Sequence, residues 1–481
     1  MTLPAIAPDA LLDRAATIVG ARNVLTAPGD MAPHLVEWRD LYQGRALAVV
    51  KPGSTAEVAG LVTLAAETAT PLVPQGGNTG LVGGGVPDGT GAAVVLSLTR
   101  MQAIREIDAA GDAMTLEAGV TLARAQEIAA EHGRLFPLSL ASEGSCTVGG
   151  NISTNAGGTA VLAYGNMRDL VLGLEVVTAD GRVWNGLRKL RKDNTGYDLK
   201  HLFIGSEGTL GIVTAAVLKL FPAPAARETA LAGLASPEAA LALLSRAKSA
   251  AGGALTAFEL MPRIGLDFVL KHGADTRDPL ASPHPWYVLM EVSGADADGL
   301  RGVLEDVLGA AMEAGEVDDA SLAASLDQRA ALWRLRHLMS EVQKAEGGSI
   351  KHDVAVPVAA VPAFLAEASA AVEALVPGCR PVPFGHLGDG NIHFNVSQPV
   401  GAGREGYIAR WEEMNRAVHA IVARHGGSIS AEHGVGRLKR DLLPGVKSEV
   451  ELDMMRAIKH ALDPQGLLNP GVVLAHPARR P

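Results

Sequence analysis

The sequence has little cysteine, no excess of positive charge and no long apolar run, and each shortage excludes a class of protein. Its two cysteines, Cys146 and Cys379, lie far apart and form no CxxC pair, which argues against a disulfide framework or a thiolate metal site. Lys and Arg number 42 against 52 Asp and Glu, a net charge of −10. Nucleic acid and anionic membranes are therefore not expected as partners.

The first residues of the chain and the length of its apolar runs indicate where in the cell the protein is expected. The first twenty residues carry acidic side chains and an arginine where a secretory signal would carry one apolar run, and no stretch reaches about 18 apolar residues. The two cysteines fit a reducing compartment. We expect a soluble, cytoplasmic protein with no stable membrane insertion.

What the sequence does have is enough apolar material for more than one core, with 48% hydrophobic residues in 481. Short β-branched runs alternate with helical patterns up to about Leu220, as in ALAVVKPGSTAEVAGLVTLAAET, where Ser54 or Thr55 caps a helix. Two prolines in FPAPAARE indicate a boundary. We predict an α+β protein with a first domain over 1–222, a second over 223–425 and a C-terminal segment over 426–481. In the second domain, Ser236 and Pro237 begin a helix and YVLMEVSG reads as a strand.

Three glycine-rich segments lie in the first domain, at 74–87, 142–158 and 192–214. One such loop alone is more often a mobile surface loop, and the first matches neither GxGxxG before a helix nor the P-loop. Three of them beside strands favour an extended ligand such as FAD, because successive backbone N–H groups can bind along its length.

Two histidines stand on either side of a glycine-rich turn in GHLGDGNIHFNV, and SAEHGVG follows downstream. On one strand an offset of seven would send His386 and His393 to opposite faces, but LGDGN can turn the chain back. With Glu432 they form a ligand set suited to Zn²⁺, while Mn²⁺ or Co²⁺ stays open. Taken singly, each histidine could instead be structural.

Together the motifs PQGGNTGLVGG, VGGNISTNAGG, RKDNTGYDLKHLFIGSEGTLGIVT, GHLGDGNIHFNV and SAEHGVGRLKRD resemble the D-2-hydroxyglutarate dehydrogenases. The resemblance spans nearly the whole chain. It implies a two-part FAD-binding domain of the vanillyl-alcohol oxidase type, completed by the C-terminal segment, with an α+β substrate-binding cap domain. It implies FAD contacts from Gln75, Gly76, Gly77, Asn78, Thr79, Gly80, Leu81, Gly144, Ser145, Val148, Gly149, Gly150, Asn155, Gly157, Gly158, Glu207 and Ile212.

Some relatives attach the flavin through a histidine in the first glycine segment. Here that segment has Asn78 and Thr79 and no histidine, so we predict non-covalent FAD.

The resemblance also implies the roles of the remaining site residues. His386, His393 and Glu432 are metal ligands by this comparison, and His433 is the general base that takes the hydroxyl proton of the substrate. The residues implied to bind substrate are Arg336, Ser340, Lys351 and Asn395. Ser340 stands where the family can have threonine, Arg336 could otherwise be an ion-paired surface residue, and Asn395 could be a core amide.

The expected reaction is FAD- and metal-dependent oxidation of D-2-hydroxyglutarate to 2-oxoglutarate. Electrons would pass to an electron-transfer flavoprotein or a quinone-linked acceptor, and a homodimer is compatible with the sequence. A D-lactate or glycolate dehydrogenase is the nearest alternative, because it would keep the flavin, metal and base. It differs in that it would not need both Arg336 and Lys351. A non-catalytic FAD-binding subunit and a metal hydrolase are two further alternatives from other classes.

Overall fold

A computed structural model describes residues 7–475 of the chain, which divides into two compact units. Unit 1 comprises the chain up to Gly158, then Asn166–Ala223 and the chain from Glu432 onward; unit 2 comprises Thr159–Gly165 and Pro224–Ala431. The first and last segments of the sequence prediction also include residues outside the described range. That prediction assigned 159–165 to the first domain. That short stretch belongs to unit 2, where Leu162 packs against the apolar core.

Strands and helices are numbered along the chain. The strands are β1 (Val24–Leu25), β2 (Ala48–Val50), β3 (Leu72–Gln75), β4 (Val94–Ser97), β5 (Ile104–Asp108), β6 (Ala113–Glu117), β7 (Arg134–Leu135), β8 (Val171–Val177), β9 (Val183–Gly186), β10 (Ile212–Lys219), β11 (Phe221–Pro222), β12 (Ala226–Leu234), β13 (Leu255–Pro262), β14 (Trp286–Gly294), β15 (Asp319–Leu322), β16 (Ser349–Ala355), β17 (Arg380–His386) and β18 (Asn391–Ser397). The α-helices are α1 (Pro8–Val19), α2 (Pro28–Leu35), α3 (Thr55–Thr68), α4 (Leu122–Glu131), α5 (Val148–Ser153), α6 (Val161–Tyr164), α7 (Met167–Leu170), α8 (Lys200–Phe203), α9 (Pro237–Ala251), α10 (Arg263–His272), α11 (Ala297–Glu313), α12 (Leu326–Val342), α13 (Val361–Leu375), α14 (Arg404–Ile408), α15 (Trp411–Arg424) and α16 (Glu449–Leu462).

Unit 1 contains a sheet of order β1-β2-β4-β3, in which β2, β4 and β3 run parallel, and an antiparallel sheet of order β5-β6-β10-β8-β9. In the first sheet, Val50 and Leu96 lie in a core formed with α1 and α3, whereas Val49 and Val95 lie in a cluster on the other face. Because both faces are buried, these strands read in the sequence as continuous apolar runs.

The C-terminal segment packs within unit 1. Leu468 forms a parallel bridge with Leu72 of β3. The side-chain amide of Asn469 donates to the carbonyl oxygens of Gly84 and Glu207, at 2.8 and 2.7 Å. One amide therefore joins this segment to the first and third glycine-rich segments.

Unit 2 is built on an antiparallel sheet of order β15-β12-β14-β13-β17-β18-β16. Alternate residues of each strand face opposite sides. Met290 and Phe394 pack with α9, α11, α13 and α15, whereas Leu289 and Phe384 pack with α10 and α12. The side of the sheet covered by α10 and α12, named here the α12 face, also carries the polar residues described below.

One helical stretch, Val358–Leu375, ends with α13 and is long and apolar enough by length and composition to cross a membrane. It is not an unbroken run of about 18 apolar residues, because Glu367 and Glu373 interrupt it. Its side chains Phe364, Leu365 and Val372 lie in the apolar core of unit 2, so the composition reflects packing against the sheet.

Both cysteines are free and buried. Burial raises the pKa of the Cys146 thiol and raises that of Cys379 to about 11. Both thiols therefore favour the protonated form at neutral pH.

Candidate active site

The first glycine-rich segment, residues 74–87, is shaped by the side chain of Gln75. Its amide nitrogen donates to the carbonyl oxygens of His34 and Gly85, at 2.9 and 2.7 Å, and the residue is buried. The Gln75 side chain therefore supports the loop from within.

Gly76 and Gly77 allow the first segment to lie directly against the second. A Cβ atom on Gly77 would stand 1.8 Å from the carbonyl oxygen of Ser145, and one on Gly76 would stand 2.2 Å from the hydroxyl oxygen of Thr147. No side chain fits between the two backbones. Because side chains are absent at these positions, backbone groups are available to contact an extended cofactor.

The second segment leads into α5. The hydroxyl of Thr147 accepts the N–H of Gly150 at 3.4 Å and so begins the helix. Val148 and Gly149 are buried, and a Cβ atom on Gly149 would stand 2.7 Å from that of Ala118. Glycine is therefore required here by packing.

The third segment is fastened to the second by Glu207. Its backbone N–H donates to the carbonyl oxygen of Ser153 at 2.7 Å, and its φ of 52° lies in the left-handed region. Its carboxylate accepts the N–H groups of Val435 and Gly436 at 2.7 and 2.9 Å. Burial raises the pKa of Glu207 to about 7 against the effect of these hydrogen bonds. The side chain thus holds the C-terminal segment.

All residues predicted to contact FAD belong to unit 1. They are Gln75, Gly76, Gly77, Asn78, Thr79, Gly80, Leu81, Gly144, Ser145, Val148, Gly149, Gly150, Asn155, Gly157, Gly158, Glu207 and Ile212.

Replacing Gly77 with alanine is expected to release FAD. The new methyl group would overlap the Ser145 carbonyl, so the two glycine segments must separate at a cost of about 1–3 kcal/mol or more. The flavin-to-protein ratio after acid release measures the effect. Gly89→Ala is the control, because a Cβ atom at Gly89 meets nothing within 4 Å. Equal FAD content in both variants would contradict the assignment.

The turn LGDGN joins β17 and β18 into a hairpin. Phe384 lies opposite His393, and His386 lies opposite Asn391. The rings of His386 and His393 are 5.5 Å apart between centroids and inclined at 76°. The reversal of the chain therefore brings two histidines seven residues apart onto the same face of the sheet.

Glu259 lies opposite His386 on β13 and joins two of the predicted site residues. One carboxylate oxygen accepts from Nδ1 of His386 at 2.7 Å, and the other accepts from Nε of Arg336 at 2.7 Å. Glu259 is fully buried. Burial by itself raises the pKa of Glu259, but its interactions with His386 and Arg336 outweigh it and lower the pKa to about 2.

Arg336 projects from α12 onto the α12 face. It is buried, and its guanidinium lies 4.9 Å from the ring centroid of Phe384. It is ion-paired, as the alternative interpretation proposed, but it is not a surface residue.

The other residues predicted to bind substrate share this face. Ser340 lies one helical turn after Arg336, and Nζ of Lys351 donates to its carbonyl and hydroxyl oxygens at 3.0 and 3.2 Å. Lys351 on β16 lies opposite Asn395 on β18. Asn395 is buried. Helix α12 and two strands thus bring these four residues to one side of the sheet.

Asp353 is a further carboxylate on the α12 face. It lies opposite His393, with ligand atoms of the two side chains within 4.8 Å, and it accepts from the amide of Asn391 at 3.1 Å. Sequence reasoning missed both Asp353 and Glu259. The alternation in IKHDVAV, which puts Lys351 and Asp353 on the same face, could have indicated the first; a lone carboxylate in the apolar strand LTAFELMP could have indicated the second.

Glu432 and His433 belong to unit 1, at the start of its C-terminal segment. Their side chains are 3.7 Å apart between Oε1 and Nε2, and both are partly exposed. Gly434, which follows, has a φ of 83°. The loop is held in place by the two hydrogen bonds from Val435 and Gly436 to Glu207.

Two family models match the chain, and the second extends from unit 2 into the C-terminal part of unit 1. Residues 46–186 match the model described as "FAD binding domain", and residues 223–473 match "FAD linked oxidases, C-terminal domain". The chain therefore belongs to the family of FAD-linked oxidases. The match to an FAD-binding domain speaks against the metal-hydrolase alternative.

Within that class, the similar proteins include D-2-hydroxyglutarate dehydrogenases. The chain is 39% identical over 453 residues to D-2-hydroxyglutarate dehydrogenase of Xanthomonas citri, covering 94% of each chain. It is 36% identical to the mitochondrial D-2-hydroxyglutarate dehydrogenase of Arabidopsis thaliana, covering 95% of this chain and 80% of that protein. These relatives confirm the resemblance noted in the motifs. They also confirm the predicted class of enzyme, an FAD-dependent hydroxyacid dehydrogenase.

The fold is shared with proteins of much lower sequence identity. p-Cresol methylhydroxylase aligns with a TM-score of 0.76 at 15% identity, covering 97% of both chains. The predicted α+β fold, an FAD-binding domain of the vanillyl-alcohol oxidase type with a second α+β domain, is confirmed.

Proposed function

We propose that the protein oxidises D-2-hydroxyglutarate to 2-oxoglutarate, with FAD as hydride acceptor and a divalent metal bound by His386, His393 and Glu432. The observation that carries the proposal is the composition of the α12 face of unit 2. Two cations, Arg336 and Lys351, lie on the same face as two imidazoles. The names of the relatives support the choice of substrate.

The donor set fits a metal. A histidine that binds a metal usually donates its other ring N–H to a carboxylate, which fixes the ring and its tautomer. His386 has this arrangement with Glu259. Two imidazoles and one carboxylate suit Zn²⁺ with a position left for substrate, and Mn²⁺ or Co²⁺ would accept the same ligands.

Arg336 and Lys351 account for selectivity toward a dicarboxylate. A guanidinium can bind one carboxylate through two parallel hydrogen bonds, and an ammonium adds a point charge for a second. Ser340 and Asn395 supply neutral donors beside them. A monocarboxylate such as D-lactate or glycolate has no distal group for the second cation.

His433 takes the proton of the substrate hydroxyl as the C2 hydride leaves. It follows Glu432 in a loop that Glu207 fastens to unit 1, so the imidazole is presented from a fixed backbone. When bound, the flavin supplies the hydride acceptor and the metal supplies a Lewis acid for the hydroxyl oxygen.

The proposal includes non-covalent FAD, because the first glycine segment contains Asn78 and Thr79 and no histidine. It also includes a cytoplasmic location and an electron-transfer flavoprotein or quinone-linked protein as acceptor. A dehydrogenase needs such an acceptor to reoxidise the flavin after each turnover.

Replacing Lys351 with methionine tests the substrate assignment. Methionine keeps the length of the side chain but not its charge, so one charge-assisted contact to the diacid is lost. We expect kcat/KM for D-2-hydroxyglutarate to fall about 10- to 100-fold, as a contact of about 1.5–3 kcal/mol implies. The value for D-lactate should change much less. Steady-state assays with an artificial electron acceptor give both numbers.

Lys344→Met serves as the control, since Lys344 is an exposed lysine in the turn after α12. If Lys351→Met lowered kcat/KM equally for both substrates, the loss would be structural. If the unaltered protein preferred D-lactate, the function would move to the monoacid alternative.

A further inference from the structure

Glu259 is the central residue of a buried network in unit 2. Its two carboxylate oxygens are each used once, by Nδ1 of His386 and by Nε of Arg336, both at 2.7 Å. All three side chains are buried. A charge buried in this way costs free energy unless each of its acceptors is satisfied by a well-placed donor.

The contact with His386 determines which ring nitrogen carries hydrogen. With Glu259 as the acceptor of this bond, the hydrogen lies on Nδ1 of His386. In the neutral ring, Nε2 is then left with its lone pair directed away from Glu259. That is the form of imidazole that binds a metal.

The contact with Arg336 fixes the second group. Nε donates to Glu259, and Cζ of the guanidinium lies over the ring of Phe384, 4.9 Å from its centroid. Phe384 is two residues before His386 on β17, so ring and imidazole share one face. Two contacts therefore restrict the orientation of Arg336, a side chain that can bind a planar carboxylate.

We propose that Glu259 is a positioning residue that couples metal binding to dicarboxylate recognition, by orienting His386 with one oxygen and Arg336 with the other. The inference rests on the proposed function, which assigns metal to His386 and substrate carboxylate to Arg336. Loss of Glu259 would then weaken both metal affinity and the preference for a dicarboxylate. A residue that contacts only the metal or only the substrate would not affect both.

Glu259→Gln is the direct test. The amide keeps the size of the side chain, but it has one oxygen and cannot accept from both partners. We expect the affinity for added Zn²⁺, measured by titration after chelation, to fall about 10- to 100-fold. The preference in kcat/KM for D-2-hydroxyglutarate over D-lactate should fall about 10-fold, mainly through KM for the diacid. Flavin content should not change, because the predicted FAD contacts lie in unit 1.

Glu291→Gln is the matched control. Glu291 is also a buried carboxylate, on the neighbouring strand β14, and it accepts from Trp333 and Thr229 at 2.8 and 2.9 Å. Its ion-pair partner is Arg329 on α12, at 3.3 Å, and not His386 or Arg336. Glu291→Gln should change thermal stability without changing Zn²⁺ affinity or the substrate ratio.

The outcomes separate the inference from the proposed function. If Glu259→Gln and Glu291→Gln had the same Zn²⁺ affinity, the coupling would be wrong even with D-2-hydroxyglutarate as substrate. Loss of metal affinity with an unchanged substrate ratio would also overturn it. If unaltered protein did not oxidise D-2-hydroxyglutarate, the proposed function would fail, and the Zn²⁺ titration would still decide whether Glu259 orients His386.

Discussion

Replacing His433 with alanine is expected to lower kcat about 100- to 10,000-fold, the usual contribution of a positioned general base. The alcohol cannot lose its hydride readily while its oxygen keeps the proton, and no other base is assigned to that step. The loop itself should persist, because it is held by the N–H groups of Val435 and Gly436 on Glu207. Rapid-reaction measurement of flavin reduction isolates this step from reoxidation.

Two observations would separate a base from a structural histidine. Added imidazole should restore part of the activity of His433→Ala, since it can enter the space and accept the proton, while flavin and metal content stay at the unaltered level. His460→Ala, an exposed position on α16, should have no effect. Unchanged flavin reduction in His433→Ala would contradict the role of His433.

Replacing His393 with alanine is expected to abolish metal binding and lower kcat/KM about 1,000-fold. The reason is that a bound metal contributes several kcal/mol of charge stabilisation to the developing alkoxide. FAD should remain, because His393 lies in β18 of unit 2 and the predicted FAD contacts lie in unit 1. Metal analysis by mass spectrometry checks the loss of metal, and the flavin absorbance spectrum checks the retention of FAD.

His337→Ala is the control for this variant. His337 is an exposed histidine on α12 that stacks on Trp333 at 5.3 Å. In unaltered protein, a chelator should reproduce the loss seen in His393→Ala, and added Zn²⁺ should reverse it. Full activity after complete metal removal would show that the histidine hairpin has another purpose.

Local features of the fold could be predicted from the sequence because their causes are local. Ser54 caps α3 by accepting from Glu57 at 3.2 Å, and Ser236 caps α9, with Pro237 at its first position. The reversal of the chain at LGDGN likewise depends on glycines within the turn.

The network around Glu259 could not be predicted in the same way. Its partners are 77 and 127 residues away along the chain. Which residue of β13 lies opposite His386 depends on the register between two distant strands. That register cannot be read from a single sequence. The transfer of 159–165 to unit 2 depends on Leu162 finding an apolar core that is formed much later in the chain.

The most direct test of the proposed function is anaerobic reduction of the bound flavin by D-2-hydroxyglutarate, L-2-hydroxyglutarate and D-lactate, each before and after chelation. The proposal predicts rapid bleaching of the visible flavin absorbance by the D-diacid, far slower bleaching by the other two, and loss of the rapid reaction when metal is removed. Bleaching chiefly by D-lactate, or bleaching by the D-diacid that survives chelation, would contradict it.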